Sequence, residues 1–266
     1  FSYSACTKCG LISLANVPAD LGRYYESGYH AIPESLADLE LGAGHDRYKI
    51  DLVQKFAAGG RLVELGPGWG AFCLLAKRAG FEVTAIEQDA RCCAFLRSSL
   101  GVNVIESAQP AAALRRADRA DVIALWHVLE HLQRPWEALE AASDRLRPGG
   151  VLVIATPNPR ALQLRIFGAR WTHLDAPRHV HLIPPDLLAR RASALGLTTE
   201  LSTTRDPGST GWNDFGWRFS LANVSPFAAL KRPLRLAGRV LGKLAAPLDR
   251  SEGKGSAYTA VFRKTA

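Results

Sequence analysis

The sequence predicts an α/β fold: a mostly parallel sheet with helices on both faces. Three observations carry that prediction. Short β-rich apolar runs alternate with stretches of helical periodicity, the pattern of strands joined by crossover helices. A glycine-rich turn joins one of those runs directly to a helix. Hydrophobic residues make up 47% of the 266 and charged residues 22%, enough apolar surface to cover both faces of a sheet. A chain of this length suits one such domain with additions, or two small ones.

The strands are expected at "RLVELG" (61–66), "FEVTAIE" (81–87), "VNVIES" (102–107), "DVIALW" (121–126) and "GVLVIAT" (150–156). Between the first two, Phe72, Leu75, Ala76 and Ala79 repeat at helical spacing until Gly80 ends the run. "PWEALEAASDRLRPGG" places Pro135 at a helix start, with Trp136, Leu139 and Leu146 on one side, and Pro148-Gly149-Gly150 stops it. Past Thr156 the alternation loosens into sequence rich in proline, histidine and tryptophan. "PPDLLARRASALG" (184–196) reads as a further helix, "LTTELSTTR" as a strand and "AYTAVFRK" (257–264) as the last strand. The organisation expected is therefore an N-terminal segment over 1–45, a core over 46–205, a helical insertion or lid over 206–256, and a final core strand over 257–266.

Composition narrows the classes. No apolar run approaches the roughly 20 residues that span a bilayer, and no secretory signal is visible at the amino end. The cysteines at 6, 9, 73, 92 and 93 are odd in number and two are adjacent, which argues against a disulfide framework and for a reducing, cytoplasmic setting. A formal charge of +8 would suit an anionic partner, but an arginine-rich solvated surface is the favoured reading of it. The aromatic-basic pattern of RNA-binding modules is missing, so a nucleic-acid partner is not expected. Because the chain starts at Phe1 and contains no methionine, a trimmed or partial chain is expected.

The chemistry centres on "VELGPGWG". Gly66, Gly68 and Gly70 follow a strand and precede a helix, where the missing Cβ atoms let the backbone approach a ligand and helix-start N–H groups face it. Gly66, Gly68 and Ala71 would also fit a dinucleotide fingerprint, so an NAD-dependent oxidoreductase is the alternative. Glu64, inside the strand, is placed to accept hydrogen bonds from a cationic amine, and Glu87, at the end of the next strand, to bind ribose hydroxyls.

"VELGPGWG…VTAIEQD" resembles the first two motifs of the class I S-adenosylmethionine (SAM)-dependent methyltransferases. The resemblance implies a Rossmann-like fold with a seven-stranded, mostly parallel sheet, and SAM as cofactor with S-adenosyl-L-homocysteine as product. It implies that Gly66, Gly68 and Gly70 pass the methionine part of SAM, Glu64 orients it, and Glu87 clamps the ribose. Gln88, Glu106, Ser107 and Trp126 join the cofactor contacts by the same resemblance, with Glu106 and Ser107 at the adenine. "DVIALWHVLEHLQRPWEALEAASDRLRPGGVLVIATPNP" is similar to the strand-four to strand-five block of the branch related to ubiquinone-biosynthesis O-methyltransferases.

Within that block, His127-Val-Leu-Glu130-His131 resembles an inverted zinc-peptidase signature. A peptidase needs a continuous helix there, whereas the strand ends at Trp126 and Pro135 interrupts soon after. His127 instead falls at a strand's carboxyl end, where open α/β sheets bind ligands. His127 and His131 are the candidate catalytic residues, as base or orienter for an acceptor hydroxyl. Small-RNA 2′-O-methyltransferases and the ubiquinone enzymes resemble this stretch with Glu-x-x-Glu-His and a later histidine, holding a divalent ion. Here His127 replaces the first glutamate, while Glu130 and His131 match. His179 or His181 stands for the later ligand, a set better suited to zinc, manganese or iron than to magnesium. No metal ligand is assigned; a divalent metal is the less favoured reading.

At the amino end, Cys6 and Cys9 resemble half of a small zinc ribbon, which one Cys-x-x-Cys cannot close alone. Tyr25 and Tyr29 in "YYESGYH" resemble the tyrosine-rich lead-in helix that covers SAM in relatives. In the insertion, Leu230, Leu234, Ala237, Leu241, Leu244 and Leu248 share a face, with Lys231, Arg232, Arg235, Arg239 and Lys243 largely elsewhere. Such a helix packs on its own domain, dimerises, or makes peripheral membrane contact through 226–250. The function expected is methyl transfer from SAM to a small-molecule or glycan-intermediate acceptor at oxygen, with oligomeric state open. Substrate selection is expected from 165–182 and the 206–256 insertion.

Overall fold

A computed structural model describes residues 1–25 and 32–265. In chain order the elements are β1 (Tyr3–Ala5), β2 (Ile12–Leu14), α1 (Leu36–Ala43), α2 (Arg47–Val53), β3 (Gly60–Leu65), α3 (Ala71–Arg78), β4 (Phe81–Glu87), α4 (Ala90–Phe95) and β5 (Asn103–Glu106). They continue with α5 (Pro110–Arg116), β6 (Ala120–Trp126), α6 (Pro135–Arg145), β7 (Leu146–Pro157), α7 (Leu162–Phe167), β8 (His181–Leu182), α8 (Pro185–Ser193), β9 (Leu197–Thr203), α9 (Pro207–Ala222), α10 (Ala228–Asp249) and β10 (Ala257–Lys264).

The main sheet has seven strands in the order β5-β4-β3-β6-β7-β10-β9. β3 lies between β4 and β6, parallel to both: the chain runs outward from β3 through β4 to β5 and then crosses back to lay β6 on the other side of β3. β10 alone is antiparallel to its neighbours, pairing Tyr258 with Thr156 on β7 and Ala260 with Ser202 on β9. Period-two alternation divides the strand residues between two cores. Leu62, Val122 and Val153 pack with Phe72 on one face, while Val63, Ile123 and Ile154 pack with Leu139 on the other. Glu64 falls on the Leu62 face, under α3, and is buried there.

Two boundaries differ from the sequence reading. α6 stops at Arg145, and Pro148-Gly149-Gly150 forms a bulge inside β7, because the register with β6 shifts between Ala120↔Leu146 and Val122↔Val151. The first residues form a hairpin, β1–β2, that adds β8 as a third strand. The Tyr3 hydroxyl anchors that hairpin by donating to the carbonyls of Leu174 and His179, at 2.7 Å each. Cys6 is exposed and Cys9 half-buried in its turn. Segment 206–256 folds as the pair α9–α10, seated where Gly238 meets the Trp217 carbonyl; a Cβ there would lie 2.6 Å from that oxygen. Tyr29 lies outside the described residues.

Candidate functional site

The glycine loop connects β3 to α3 and has left-handed backbone at all three glycines, φ being 68° at Gly66, 56° at Gly68 and 87° at Gly70. Side chains rarely tolerate that region. At Gly66 a Cβ would also stand 2.7 Å from Cγ2 of Val128. The loop is braced from β4: Glu87 accepts from the backbone N–H of Gly68 at 3.0 Å through one oxygen, and from Gln88 and Asp89 at 2.7 and 2.9 Å through the other. The acid at the second strand's end therefore does two things. It shapes the loop, and it lines a cavity of about 740 Å³ with Gln88, Ser107, Gly66, Tyr25 and His131.

A second cavity of about 540 Å³ also meets Gly66 and is lined by Glu64, Gly68, Lys49, Trp126, Trp212 and Phe215, among others. Gly66, His127 and His131 border both cavities. Glu64 is buried with Cys73 donating to it at 2.9 Å, and desolvation pushes its carboxyl up to about 7. Nearby, Nε1 of Trp126 is buried without an acceptor among the described residues, and Lys49 stands over the Trp126 ring. The cavity thus carries a carboxyl group, an indole N–H and the Lys49 ammonium, which also pairs with Asp46 at 2.9 Å. That set matches the zwitterionic end of an amino acid, so the site fits the methionine part of SAM.

His127 caps β6 with φ at 57°, an uncommon conformation for a residue with a side chain, which costs about 1–3 kcal/mol and recurs at functional sites. Its N–H donates to the Ala155 carbonyl at 2.8 Å, which holds the strained turn against β7. The ring packs on Trp212, centroids 4.8 Å apart. Nδ1 of His127 lies 3.3 Å from Oε1 of Glu130, an oxygen with no other donor among the described residues. Oε2 accepts from Thr156 at 3.0 Å. Burial alone would raise the Glu130 carboxyl, but the His127 hydrogen bond and the fields of His127, His131 and His179 outweigh it and hold it at about 2.

His131 and His179 pack edge to face, 4.6 Å between centroids. Nδ1 of His131 contacts the Arg178 carbonyl at 3.0 Å and the Tyr25 hydroxyl at 2.9 Å. Nδ1 of His179 contacts the His173 carbonyl at 2.7 Å. A carbonyl only accepts, so each neutral ring carries its proton on Nδ1 and its lone pair on Nε2. Burial, with His179 adding to it, lowers His131 to about 4. One donor atom each from Glu130, His131 and His179 lies within 4.8 Å of the others, a set that fits a nitrogen-preferring divalent cation after a small contraction.

The expected site residues Glu64, Gly66, Gly68, Glu87, Gln88, Ser107, Trp126, His127 and His131 all line one cavity or the other. Gly70 instead faces Leu96 and Leu100 under the loop, acting through backbone shape. Glu106 departs from expectation: it ends β5 half-exposed, paired with Arg97 at 3.1 Å, and lines neither cavity. The register that pairs Glu106 with Glu87 leaves its neighbour Ser107 on the cavity wall instead. His179, not His181, joins the cluster, because His181 is engaged by Ser13 and the Gln133 carbonyl. The sequence reading missed Lys49, His173 and Trp212. The last two fall inside 165–182 and 206–256, segments expected to select substrate, but neither residue was singled out there.

A sheet of this order with its lone antiparallel β10, carrying a glycine loop braced by an acid, defines a class I SAM-dependent methyltransferase fold. Residues 41–201 match the methyltransferase-domain family, and the chain belongs to it. It is 30% identical over 165 residues to a ubiquinone biosynthesis O-methyltransferase of Chelativorans sp. (strain BNC1), covering 58% of this chain and 65% of that protein. A ubiquinone biosynthesis O-methyltransferase of Cupriavidus pinatubonensis is 30% identical over 151 residues, covering 53% and 61%. The chain thus spans less than two thirds of the length of these two relatives. A SAM-dependent methyltransferase structure from Archaeoglobus fulgidus superposes with a TM-score of 0.56 at 21% identity, covering 85% of this chain and 94% of that one. The nicotinamide alternative finds no support, since the family and these relatives are methyltransferases.

Proposed function

We propose that the protein transfers the methyl group of SAM to a hydroxyl of a small-molecule acceptor, a glycan intermediate included, in the cytoplasm. SAM supplies an electrophilic methyl on a sulfonium. Glu87, Gln88 and Ser107 receive the adenosine in the larger cavity, and Glu64 with Lys49 and Trp126 receives the amino-acid end in the smaller. This reading puts the transferred methyl near Gly66 and His127, where the cavities meet. Alignment and exclusion of water are then the main catalytic contributions, and the aromatic wall of Trp212 and Phe215 serves the acceptor.

One observation carries the oxygen assignment: the buried, ionised Glu130 faces Nδ1 of His127 at the junction of the two cavities. A carboxylate on Nδ1 fixes the tautomer, leaves Nε2 to take the acceptor proton, and stabilises the imidazolium that results. His131 is a positioning residue in this account. The O-methyltransferase names of the relatives agree with it. The test is a mass-spectrometric product screen with methyl-deuterated SAM against hydroxyl- and amine-bearing acceptors. Label on hydroxyl acceptors supports the reading; label confined to nitrogen or carbon refutes it.

A second reading is favoured by the Glu130, His131 and His179 set. Those residues would hold a divalent cation, which when bound would acidify an acceptor hydroxyl. Metal analysis of the purified protein, with wild type compared against His179→Ala, distinguishes the two: a stoichiometric metal lost in the variant supports this reading, and a metal-free active enzyme removes it.

A further inference from the structure

α10 does not pack on the domain through the face that carries most of its leucines. Its buried residues are Gly238 and Asp249, and Lys231 caps α9 by donating to the Ala222 carbonyl at 2.8 Å. That side, not the leucine side, packs on the domain. Leu236, Val240, Leu244 and Leu248, spaced four apart, form a ridge facing outward, with Leu236 67% and Leu244 73% exposed. Leu230 and Leu241 flank the ridge, and Phe227 extends it at the helix start, all exposed. Along one edge runs a second row at helical spacing: Arg232, Arg235, Arg239 and Lys243. Among the described residues none of these four is in an ion pair, Arg235 lying instead over the Phe219 ring at 4.6 Å. The one acid of the helix, Asp249, is buried and accepts from Trp217 at 2.5 Å.

We infer that α10 docks on an anionic lipid surface, its ridge in the acyl boundary and its cation row among the headgroups. An outward apolar ridge edged by unpaired cations is the arrangement that combines apolar burial with attraction to anionic lipid. No helix among the described residues is long and apolar enough to cross a membrane, so α10 lies on the surface. A nucleic acid would meet the cations but leave the ridge without a partner. A second copy of the chain would cover the ridge but brings the same row of cations and no complementary charge.

The surface also connects with the site. Arg235 covers Phe219, which stacks at 4.2 Å on Phe215, a wall residue of the smaller cavity. The helix pair therefore links the lipid-facing ridge to the acceptor side.

The test is co-sedimentation of the full chain, without SAM, on vesicles of phosphatidylcholine alone and of phosphatidylcholine mixed equally with phosphatidylglycerol. Binding is therefore scored independently of methyl transfer. The protein is expected on the anionic vesicles at least tenfold more than on the neutral ones. Arg239→Gln with Lys243→Gln should weaken binding about fivefold per charge. Leu236→Ser with Leu244→Ser should weaken it at least tenfold while circular dichroism stays unchanged, since both side chains are exposed. Failure of the folded protein to bind anionic vesicles overturns the inference. So does a Leu236→Ser, Leu244→Ser protein that binds as wild type, or one that merely converts a dimer to a monomer in sedimentation velocity.

Discussion

Replacing Glu64 by glutamine should make the protein more stable and a poorer SAM binder. The carboxyl sits on the buried face of β3 at 3% exposure, with Cys73 as donor, and desolvation moves it from 4.5 to about 7. The sign follows from proton counts. Between these two values the unfolded chain has released the proton and the folded chain still holds it, so stability falls as pH rises through that window. Below 4.5 both states are protonated and the cost vanishes. Above 7 the full cost of a buried charge is present, about 3 kcal/mol at 1.36 kcal/mol per pKa unit. Glutamine keeps an oxygen for the Cys73 thiol and cannot ionise. Urea unfolding should therefore show Glu64→Gln equal to wild type at pH 4 and about 3 kcal/mol more stable at pH 8. Calorimetry should show SAM binding weakened by about 1.5–3 kcal/mol, the worth of a hydrogen bond to a charged group. Wild-type affinity should also rise between pH 6 and 8 as Glu64 ionises, and the variant's should not. A variant whose stability advantage over wild type is no larger at pH 8 than at pH 4 would refute the desolvation argument.

The histidine predictions separate role from fold. His127→Ala should lower turnover by about 10²–10⁴ with SAM affinity retained, and Glu130→Gln should act in the same direction, both read from initial rates and calorimetry. Loss of SAM binding with no separate effect on turnover would remove the base assignment. His131, held at about 4 chiefly by burial, binds a proton in the unfolded chain before it does in the folded one. Stability should therefore drop as pH falls from 6.5 towards 4, by about 3 kcal/mol from this group. His131→Gln should flatten that stretch of the pH–stability curve; an unaltered slope would show that the imidazole is hydrated.

Most of the sheet could be read from the sequence because its strands are apolar on both faces and bounded by turn residues; β4 and β10 run over the residues expected. The bulge in β7 could not, since Pro148-Gly149-Gly150 is an equally good helix stop and only pairing with β6 distinguishes the two. The glycine loop and its acids were visible as spacing. The bracing of Gly68 by Glu87, and the left-handed turn at His127, depend on contacts between strands and were not. Glu106 and Ser107 were expected together at the adenine; at a strand end one position changes the face, so Ser107 lines the cavity while Glu106 pairs with Arg97. For α10 the periodicity revealed an apolar face, but which face packs inward was decided by Gly238 and Gly242 against Trp217, a contact between helices that helical spacing cannot report.

The most direct measurement is a crystal structure of the protein with S-adenosyl-L-homocysteine. The account predicts the adenosine in the larger cavity against Glu87 and Ser107, the amino-acid end beside Glu64 and Lys49, and the sulfur between Gly66 and His127. A ligand in the reverse orientation, or one seated away from the glycine loop, would contradict it.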